Sequence, residues 1–236
     1  MSAVRGTSGK LSAGPLAGIS RDTTHLMIGW SKYSTTPSGS YWCMLDMNAT
    51  GVANTGPVWR GEINAAGKYS MSVSGAPEIG GGSLILNQWV HYACWFERFG
   101  GSSQSLRTWV NGALLGNVGA STSSQTNDLA HVSFFVYVGS LTQRESPVGT
   151  KLAEWAIFSG LTTTQRDTII AEAQTKHVGA LSITPTHAWR LLNDGTAAVG
   201  GGDLTITNAI TFDTDDHPPV GASPPPAPRR RVLWVG

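Results

Sequence analysis

The sequence predicts an all-β protein folded as a two-sheet antiparallel jelly-roll sandwich, with one short helix and extended termini. Short runs of apolar, aromatic and β-branched residues recur along the chain, and turns rich in Gly, Ser and Asn separate them. No repeat of fixed period is present, which argues against a propeller or a solenoid. With 236 residues, 40% of them hydrophobic, the chain suits one large β domain with a substantial core.

The clearest strands lie in the centre of the chain. Residues 89–96 form an apolar and aromatic run interrupted only by His91, which predicts a strand buried on both faces. A Gly- and Ser-rich turn separates it from a second strand at 106–110. Asn111 and Gly112 follow, a dipeptide that tolerates positive φ and closes two-residue hairpins. The centre is therefore predicted to form two consecutive hairpins.

The remaining strands are shorter and are separated by polar segments. Residues 54–61 are predicted to be a loop that exposes Val58 and Trp59 between Pro and Gly. In chain order, the other strands are predicted at 25–33, 41–47, 62–64, 68–74, 84–86, 131–139, 152–158, 188–192 and 204–212.

One helix is predicted to begin at Thr162. This residue and Gln165 have the spacing of a capping box, and a small apolar face follows that can pack on the sandwich. Lys176 and His177 are expected in the last turn, where cations favour the helix dipole, with Gly179 as the stop.

Composition divides the chain into three parts. Residues 1–21 lack periodicity and are predicted to be an N-terminal arm that orders against a partner, if at all. Residues 22–216 are predicted to be the sandwich. Residues 217–236 are a tail rich in Pro and Arg, which is too stiff and extended to join a sheet.

Several motifs of this chain resemble those of the laminin-G/concanavalin A-like jelly-roll family. They are LMIGWSK at 26–32, the W-x-H strand and W-V-N-G turn of the central hairpins, and GTKLAEWAIFSGL at 149–161 followed by TTTQ. The likeness covers about residues 24–216. It implies a two-sheet antiparallel sandwich of a kind often used to bind glycans, and it implies no single activity. It also implies a packing or hydrogen-bonding role for Glu154.

The charge and the cysteines restrict the function classes. Charged residues make up 13% of the chain, about half of the usual ~25%, and the net charge is +1. Such a surface suits protein or sugar more than nucleic acid or a membrane. The N-terminus lacks the apolar core of a signal peptide, so a protein made in a cytoplasm and not exported by that route is expected. Cys43 and Cys94 are expected to be buried reduced thiols, and a disulfide between them is the alternative.

The sequence predicts no enzyme and no catalytic residues. Glycosidases of this sandwich class carry closely spaced acids of the form E-x-D-x-x-E on one strand, and no such stretch exists here. There is no G-x-S-x-G elbow and no H-x-x-x-H or C-x-x-C pair. His91, in the middle of a strand, is expected to be a satisfied, half-buried residue.

No cofactor and no metal site are predicted. The resemblance makes calcium the one candidate cation, because lectin-like sandwiches often carry it at a rim. The candidate ligands by residue type do not fall in a recognisable loop motif, and acids in turns are usually turn formers. They are Asp194, Asp203, Asp213, Asp215 and Asp216.

Two groups of residues are candidates for binding. Trp59 and Trp42 are the aromatic platforms on which a sugar ring could stack, with Arg60 bonding its hydroxyls; the alternative is that both indoles only pack. The second group is the end of the tail, which is expected to dock on its own domain or on a neighbour, or else to be flexible. It consists of Arg229, Arg230, Arg231, Leu233 and Trp234.

Two functions follow from these features. The first is a non-enzymatic structural protein of a bacteriophage virion, because the chain resembles lectin-like domains that decorate capsids or equip tails. Its partners would be other virion proteins, further copies of itself and cell-surface glycans, with no nucleic acid and no membrane. Its location would be the virion, after synthesis in the host cytoplasm. The alternative is a free carbohydrate-binding module.

Overall fold

The computed structural model describes residues 2–6, 9–20, 22–37, 39–48, 58–73, 79–99, 103–121, 130–135, 145–191, 196–200, 202–208, 210–213 and 215–220. These residues form short strands, one α-helix (α1, Thr163–Glu172) and one 3₁₀ turn (Val178–Ala180). The strands are β1 Ser2–Arg5, β2 Lys10–Ala13, β3 His25–Lys32, β4 Trp42–Asn48, β5 Val58–Ile63, β6 Lys68–Val73, β7 Ile79–Ser83, β8 Val90–Phe99, β9 Ser103–Val110, β10 Ala113–Ser121, β11 His131–Phe134, β12 Lys151–Ser159, β13 His187–Trp189, β14 Ala197–Val199, β15 Thr205–Thr207 and β16 Ile210–Asp213.

The strands form two antiparallel sheets. Sheet A has the order β10-β9-β8-β3-β12-β1-β16, with β13 beside β12 and β14 beside β13, and sheet B has the order β15-β2-β11-β4-β5-β6-β7. Apolar residues from both sheets meet in one core between them. The predicted all-β, two-sheet antiparallel sandwich with a single short helix is confirmed.

The central hairpins are β8, β9 and β10. Asn111 and Gly112 have φ of 47° and 77°, the two positive values that a type I′ turn requires, and Val110 pairs with Ala113 across that turn. Every residue of β8 from Val90 to Phe96 is buried. The two hairpins and the strand buried on both faces are confirmed.

Sheet A is covered on its outer face as well. Leu26, Ile28 and Trp95 point away from sheet B and pack under Ile169 and Ile170 of α1 in a second apolar cluster. The capping box is present, because Thr162 Oγ1 accepts the Gln165 N–H at 3.3 Å and Gln165 Oε1 accepts the Thr162 N–H at 2.9 Å. The predicted helix start and its apolar face are confirmed.

The predicted end of the helix is wrong. The helix stops at Glu172, so Lys176 and His177 lie beyond its last turn. The segment that follows the helix is held by Glu154, which sits at an irregularity of β12 with φ of 54°. Its carboxylate accepts the Val178 N–H at 2.9 Å and lies 2.9 Å from His177 Nδ1 and 3.2 Å from Arg190 Nε. The hydrogen-bonding role expected for Glu154 is confirmed.

The described residues at the start of the chain belong to the sandwich, so the prediction of a separate arm at 1–21 is wrong. β1 lies between β12 and β16 in sheet A, and β2 lies between β11 and β15 in sheet B. At the other end, Val220 is 4% exposed, so packing continues past the predicted boundary at 216. Four-residue strands rich in Ser and Ala carry too little periodicity to be recognised without their partners.

Several strand predictions need correction. Residues 58–61 are part of β5 and not of an exposed loop, while residues 54–57 lie outside the described part. In place of a strand at 84–86 there is β7, and Leu86 makes only an isolated bridge to Tyr33. The strand predicted at 204–212 is divided into β15 and β16 around Asn208, whose φ is 59°. Of residues 131–139, β11 covers 131–134 and residues 136–139 are not described.

Both cysteines are buried free thiols, which agrees with the reduced state that the sequence favoured. Burial raises the pKa of the Cys94 thiol above its ordinary value. Among the described residues, no helix has both the length and the apolar character required to span a bilayer.

Candidate functional site

The outer face of sheet B carries a continuous row of polar side chains. Neighbouring strands place one polar residue each at the same level, directly opposite the next. Because side chains alternate along a strand, these residues face away from the apolar core that their sequence neighbours fill. In spatial order, the polar row consists of Thr205, Ser12, Ser133, Asp46, Arg60 and Ser72.

The centre of the polar row is an ion pair. Arg60 Nε donates to Asp46 Oδ1 at 2.6 Å, from adjacent strands and between directly opposite residues. The Asp46 side chain is 1% exposed and that of Arg60 is 13% exposed, so this pair is well shielded from water. A shielded pair holds both side chains in one geometry and cancels both charges.

A second, shorter polar line runs beside the polar row. Glu62 lies opposite Cys43 on one side and Ser70 on the other, and all three are buried. Asp46 and Glu62 thus place two carboxylates on one face, from neighbouring strands. Neither has the exposure of an acid that flanks a glycosidic bond. The prediction that the chain is not an enzyme stays a prediction.

Accessibility differs along the polar row. Ser133 and Asp46 in the middle are buried, whereas Arg60 on one side and Ser12 on the other are half-buried. Ser72 is half-buried as a residue, but its hydroxyl oxygen is buried. Thr205 at the end is exposed. The groups that a ligand can reach therefore lie on two flanks of this face.

The structure separates the predicted binding residues. Trp59 is 1% exposed and packs in the sandwich core, with its ring centroid 5.7 Å from His25 and 6.3 Å from Phe96. Arg60, the next residue of β5, points to the opposite face. Because successive side chains of a strand point in opposite directions, Trp59 and Arg60 cannot contact the same ligand. The expectation of an exposed Trp59 is wrong, and Arg60 is a member of the polar row.

Trp42 is also a core residue. It is 7% exposed and stacks on Tyr33 with a centroid distance of 5.6 Å and an interplanar angle of 15°. Its face is therefore occupied, as in the packing alternative. The tail candidates Arg229, Arg230, Arg231, Leu233 and Trp234 lie outside the described residues.

Two of the candidate calcium ligands, Asp213 and Asp216, bind lysine ammonium groups. Asp216 Oδ2 lies 2.8 Å from Lys32 Nζ and 2.7 Å from Lys151 Nζ, and its Oδ1 accepts the Trp89 indole N–H at 2.7 Å. Asp213 Oδ2 lies 2.5 Å from Lys151 Nζ. Burial opposes ionisation of Asp216, but these hydrogen bonds outweigh it and hold the pKa of this carboxyl below its ordinary value.

Of the other calcium candidates, Asp203 and Asp215 are described. Asp203 Oδ1 accepts the Ala197 N–H at 2.9 Å, and Asp194 is not described. Within the described ranges, no three His, Cys, Asp or Glu residues are grouped as ligands of one ion. A cation bound at Asp213 or Asp216 would first have to displace a lysine.

His91 is more deeply buried than the sequence suggested. It lies on the helix-covered face of sheet A, where Gln174 Nε2 lies 2.7 Å from His91 Nδ1 and the ring meets Trp30 edge-on at 5.3 Å. Burial lowers the pKa of His91 to about 3, so the ring is neutral near pH 7. This environment makes His91 a structural residue of the second core.

The polar row could be foreseen only in part. The alternation of Ser70 and Ser72 with Tyr69, Met71 and Val73 indicates a strand with one polar face. Register between strands that are distant in the chain, such as β2 with β11, has no local signal. The alignment of single polar residues from six strands is therefore visible only in the folded structure.

Comparisons with known proteins support the fold. No protein-family model and no curated protein matches the chain. A solved structure of a Bacteroides ovatus protein, provisionally described as carbohydrate binding, aligns with a TM-score of 0.60 at 15% identity, over 90% of this chain and 60% of that one. This chain thus spans about 60% of the length of that protein.

Two weaker matches are a Trypanosoma rangeli sialidase and a heptameric pentraxin of Limulus polyphemus. The sialidase has a TM-score of 0.47 at 12% identity, over 64% of this chain and 23% of that one. The pentraxin has a TM-score of 0.46 at 11% identity, over 70% and 83%. These two scores are too low to support an argument. The Bacteroides ovatus match, at 15% identity, supports the β-sandwich fold and nothing finer.

Proposed function

We propose that this protein binds carbohydrate through the polar row on the outer face of sheet B. The observation that carries the proposal is the alignment of six polar side chains across six strands, directly opposite one another. The likeness of the sandwich to a protein described as carbohydrate binding supports it.

The chemistry of the polar row suits a neutral sugar chain. Ser and Thr hydroxyls both donate and accept hydrogen bonds, as sugar hydroxyls do. The two charges of the row cancel in the Asp46–Arg60 ion pair, so an acidic or basic ligand gains no net attraction. The reachable flanks of the row, at Thr205 and at Arg60, are four interstrand spacings or about 19 Å apart, which favours an extended glycan that spans both flanks over a single sugar.

The test is retention on immobilised neutral polysaccharides, followed by a glycan array. The variant is Ser12→Ala with Thr205→Ala, two directly opposite residues on an accessible flank of the row. Two lost hydrogen bonds of about 1 kcal/mol each should weaken binding at least about tenfold. Thr164→Ala, an exposed hydroxyl of α1 beyond the other sheet, is the matched control and should bind as the original chain does.

Binding to a neutral glycan should also change little with salt, because no net charge has to be neutralised. Failure of every neutral glycan to be retained would refute the proposal. Equal retention of the original chain and the double variant would move the site away from the polar row.

The virion role stays a prediction. Gradient separation of the native producing culture, with mass spectrometry of each fraction, would test it. A fixed ratio of this chain to a major shell or tail protein would support a structural role, and glycan binding could coexist with it. Recovery only among small soluble proteins would contradict it.

A further inference from the structure

The edges of the two sheets differ in how they are protected. In the described part of the chain, β10 pairs with β9 alone, and the other terminal strands of the sheets are β16, β14, β7 and β15. Those four have three to five residues, whereas β10 has nine. An edge strand presents unpaired N–H and C=O groups, and proteins usually protect it by shortness, charge or Pro.

The sequence of β10 contains none of the usual protective residues. It reads ALLGNVGAS, without a charged residue and without Pro. By contrast, the short edge β16 carries Asp213, which is bound by Lys151, and β7 carries a run of three glycines. The one irregularity of β10 lies near its start, between Leu114 and Gly116, and pairing with β9 is regular from Asn117 to Ser121.

We propose that β10 is the surface through which this protein binds a second copy of itself, by antiparallel addition of β10 to β10 and fusion of the two A sheets. Two identical strands related by a two-fold axis place each residue near its own equivalent, so a charged edge would repel itself. β7 lies against β10 at Leu115, where Gly81 and Gly82 approach closely. Residues 117–121, beyond that contact, carry no charge and meet this condition. This segment is therefore complementary to a second copy of itself.

The register shows which backbone groups are available. Val110 and Ala113 close the turn and exchange hydrogen bonds, after which bonded and non-bonded pairs alternate along an antiparallel ladder. When this alternation is followed through the irregularity, the backbone N–H and C=O of Val118 bond to β9. The backbone N–H and C=O of Asn117 and Gly119 then point outward from the sheet edge. Gly119 lies at or next to the centre of any pairing of this regular segment with itself.

The experiment is analytical ultracentrifugation of the full chain over a wide concentration range. The original chain is expected to sediment as a dimer. Gly119→Lys and Gly119→Glu, each alone, are expected to be monomers, because like charges meet at the two-fold axis. An equal mixture of the two variants is expected to restore the dimer. The control is Gly179→Lys, at an exposed glycine with open space around it, which should leave the dimer intact.

A second variant distinguishes loss of the dimer from failure to fold. Asn117→Pro removes an outward N–H and keeps the bonds to β9, so its thermal midpoint should stay within a few degrees while the dimer is lost. A chain that is monomeric at every concentration overturns the proposal. A Gly119→Lys chain that remains dimeric, or a mixture that fails to restore association, overturns it as well. None of these outcomes depends on sugar binding.

Discussion

The outer faces of the two sheets have opposite characters. On sheet A, Leu26, Ile28 and Trp95 face outward and need the cover of α1. On sheet B, the corresponding positions are Ser, Thr and the Asp46–Arg60 ion pair. The polar row is the candidate site because its flanks at Arg60, Ser12 and Thr205 are accessible in the described part of the chain, whereas α1 covers the outer face of sheet A.

This difference is visible within single strands. β8 is apolar at consecutive positions because it has a core on each side, one shared with sheet B and one shared with α1. β6 alternates Tyr69, Met71 and Val73 with Lys and Ser, because only one of its faces packs on apolar residues. The period of the pattern thus reports how many faces of a strand are covered.

The largest expected effect comes from the covered face. Trp95→Ala removes a fully buried indole from beneath α1, together with its contact at 5.3 Å with the Arg166 guanidinium. Loss of burial plus the resulting cavity should lower the free energy of unfolding by about 3–5 kcal/mol. Urea unfolding measures this. Leu114→Ala, at a side chain that is 54% exposed, should change it little; a similar loss in both would contradict a sealed second core.

The next largest loss of stability is expected from the ion pair on the outer face of sheet B. Arg60→Ala leaves the shielded Asp46 carboxylate without this cation and should destabilise by about 3 kcal/mol. The double change Asp46→Asn with Arg60→Gln removes both charges and leaves two uncharged amides, so part of that loss should be recovered; Asp46→Asn and Arg60→Gln are its matching single variants. A double-mutant cycle from chemical unfolding gives the coupling. Additive losses would show that the two charges do not depend on each other.

The stability that His91 contributes on the helix-covered face of sheet A should depend on pH. Its pKa is lowered to about 3 by burial, whereas the unfolded chain binds a proton below about pH 6.5. The contribution of His91 to the free energy of unfolding is therefore fully present above pH 6.5. It is lost as pH falls below that value, by up to about 1.4 kcal/mol per pH unit. The loss between pH 6.5 and 4 should be smaller in His91→Asn, which keeps an acceptor near Gln174. Parallel pH profiles of the two proteins would contradict it.

The smallest effect concerns the cap of the helix that seals sheet A. Thr162→Ala removes the side-chain half of the capping box and should cost about 1 kcal/mol. Thermal unfolding should show a slightly lower midpoint, with Thr168→Ala in the helix interior as the comparison. If the two variants melt together, the cap contributes nothing to holding α1 on sheet A.

Local chemistry made part of this protein predictable. The Asn111–Gly112 turn, the capping box of Thr162 and the apolar run of β8 each lie within a few neighbouring residues, so their sequence determines their conformation. The end of α1 was mispredicted because a preference for cations in the last turn is weak, and α1 ends at Glu172. The contacts of Glu154 with His177 and Val178 join residues that are distant in the chain and have no local signal.

The sequence by itself determined the fold class, the central hairpins and the start of the helix, because turn chemistry and periodicity act over short distances. Only the tertiary structure decided that the first residues are strands, that Trp59 is in the core and that six strands align the polar row. These features depend on strand register between segments far apart in the chain. A shift of one residue in register would turn every side chain of a strand to the other face, and only packing of the whole sandwich selects between the two.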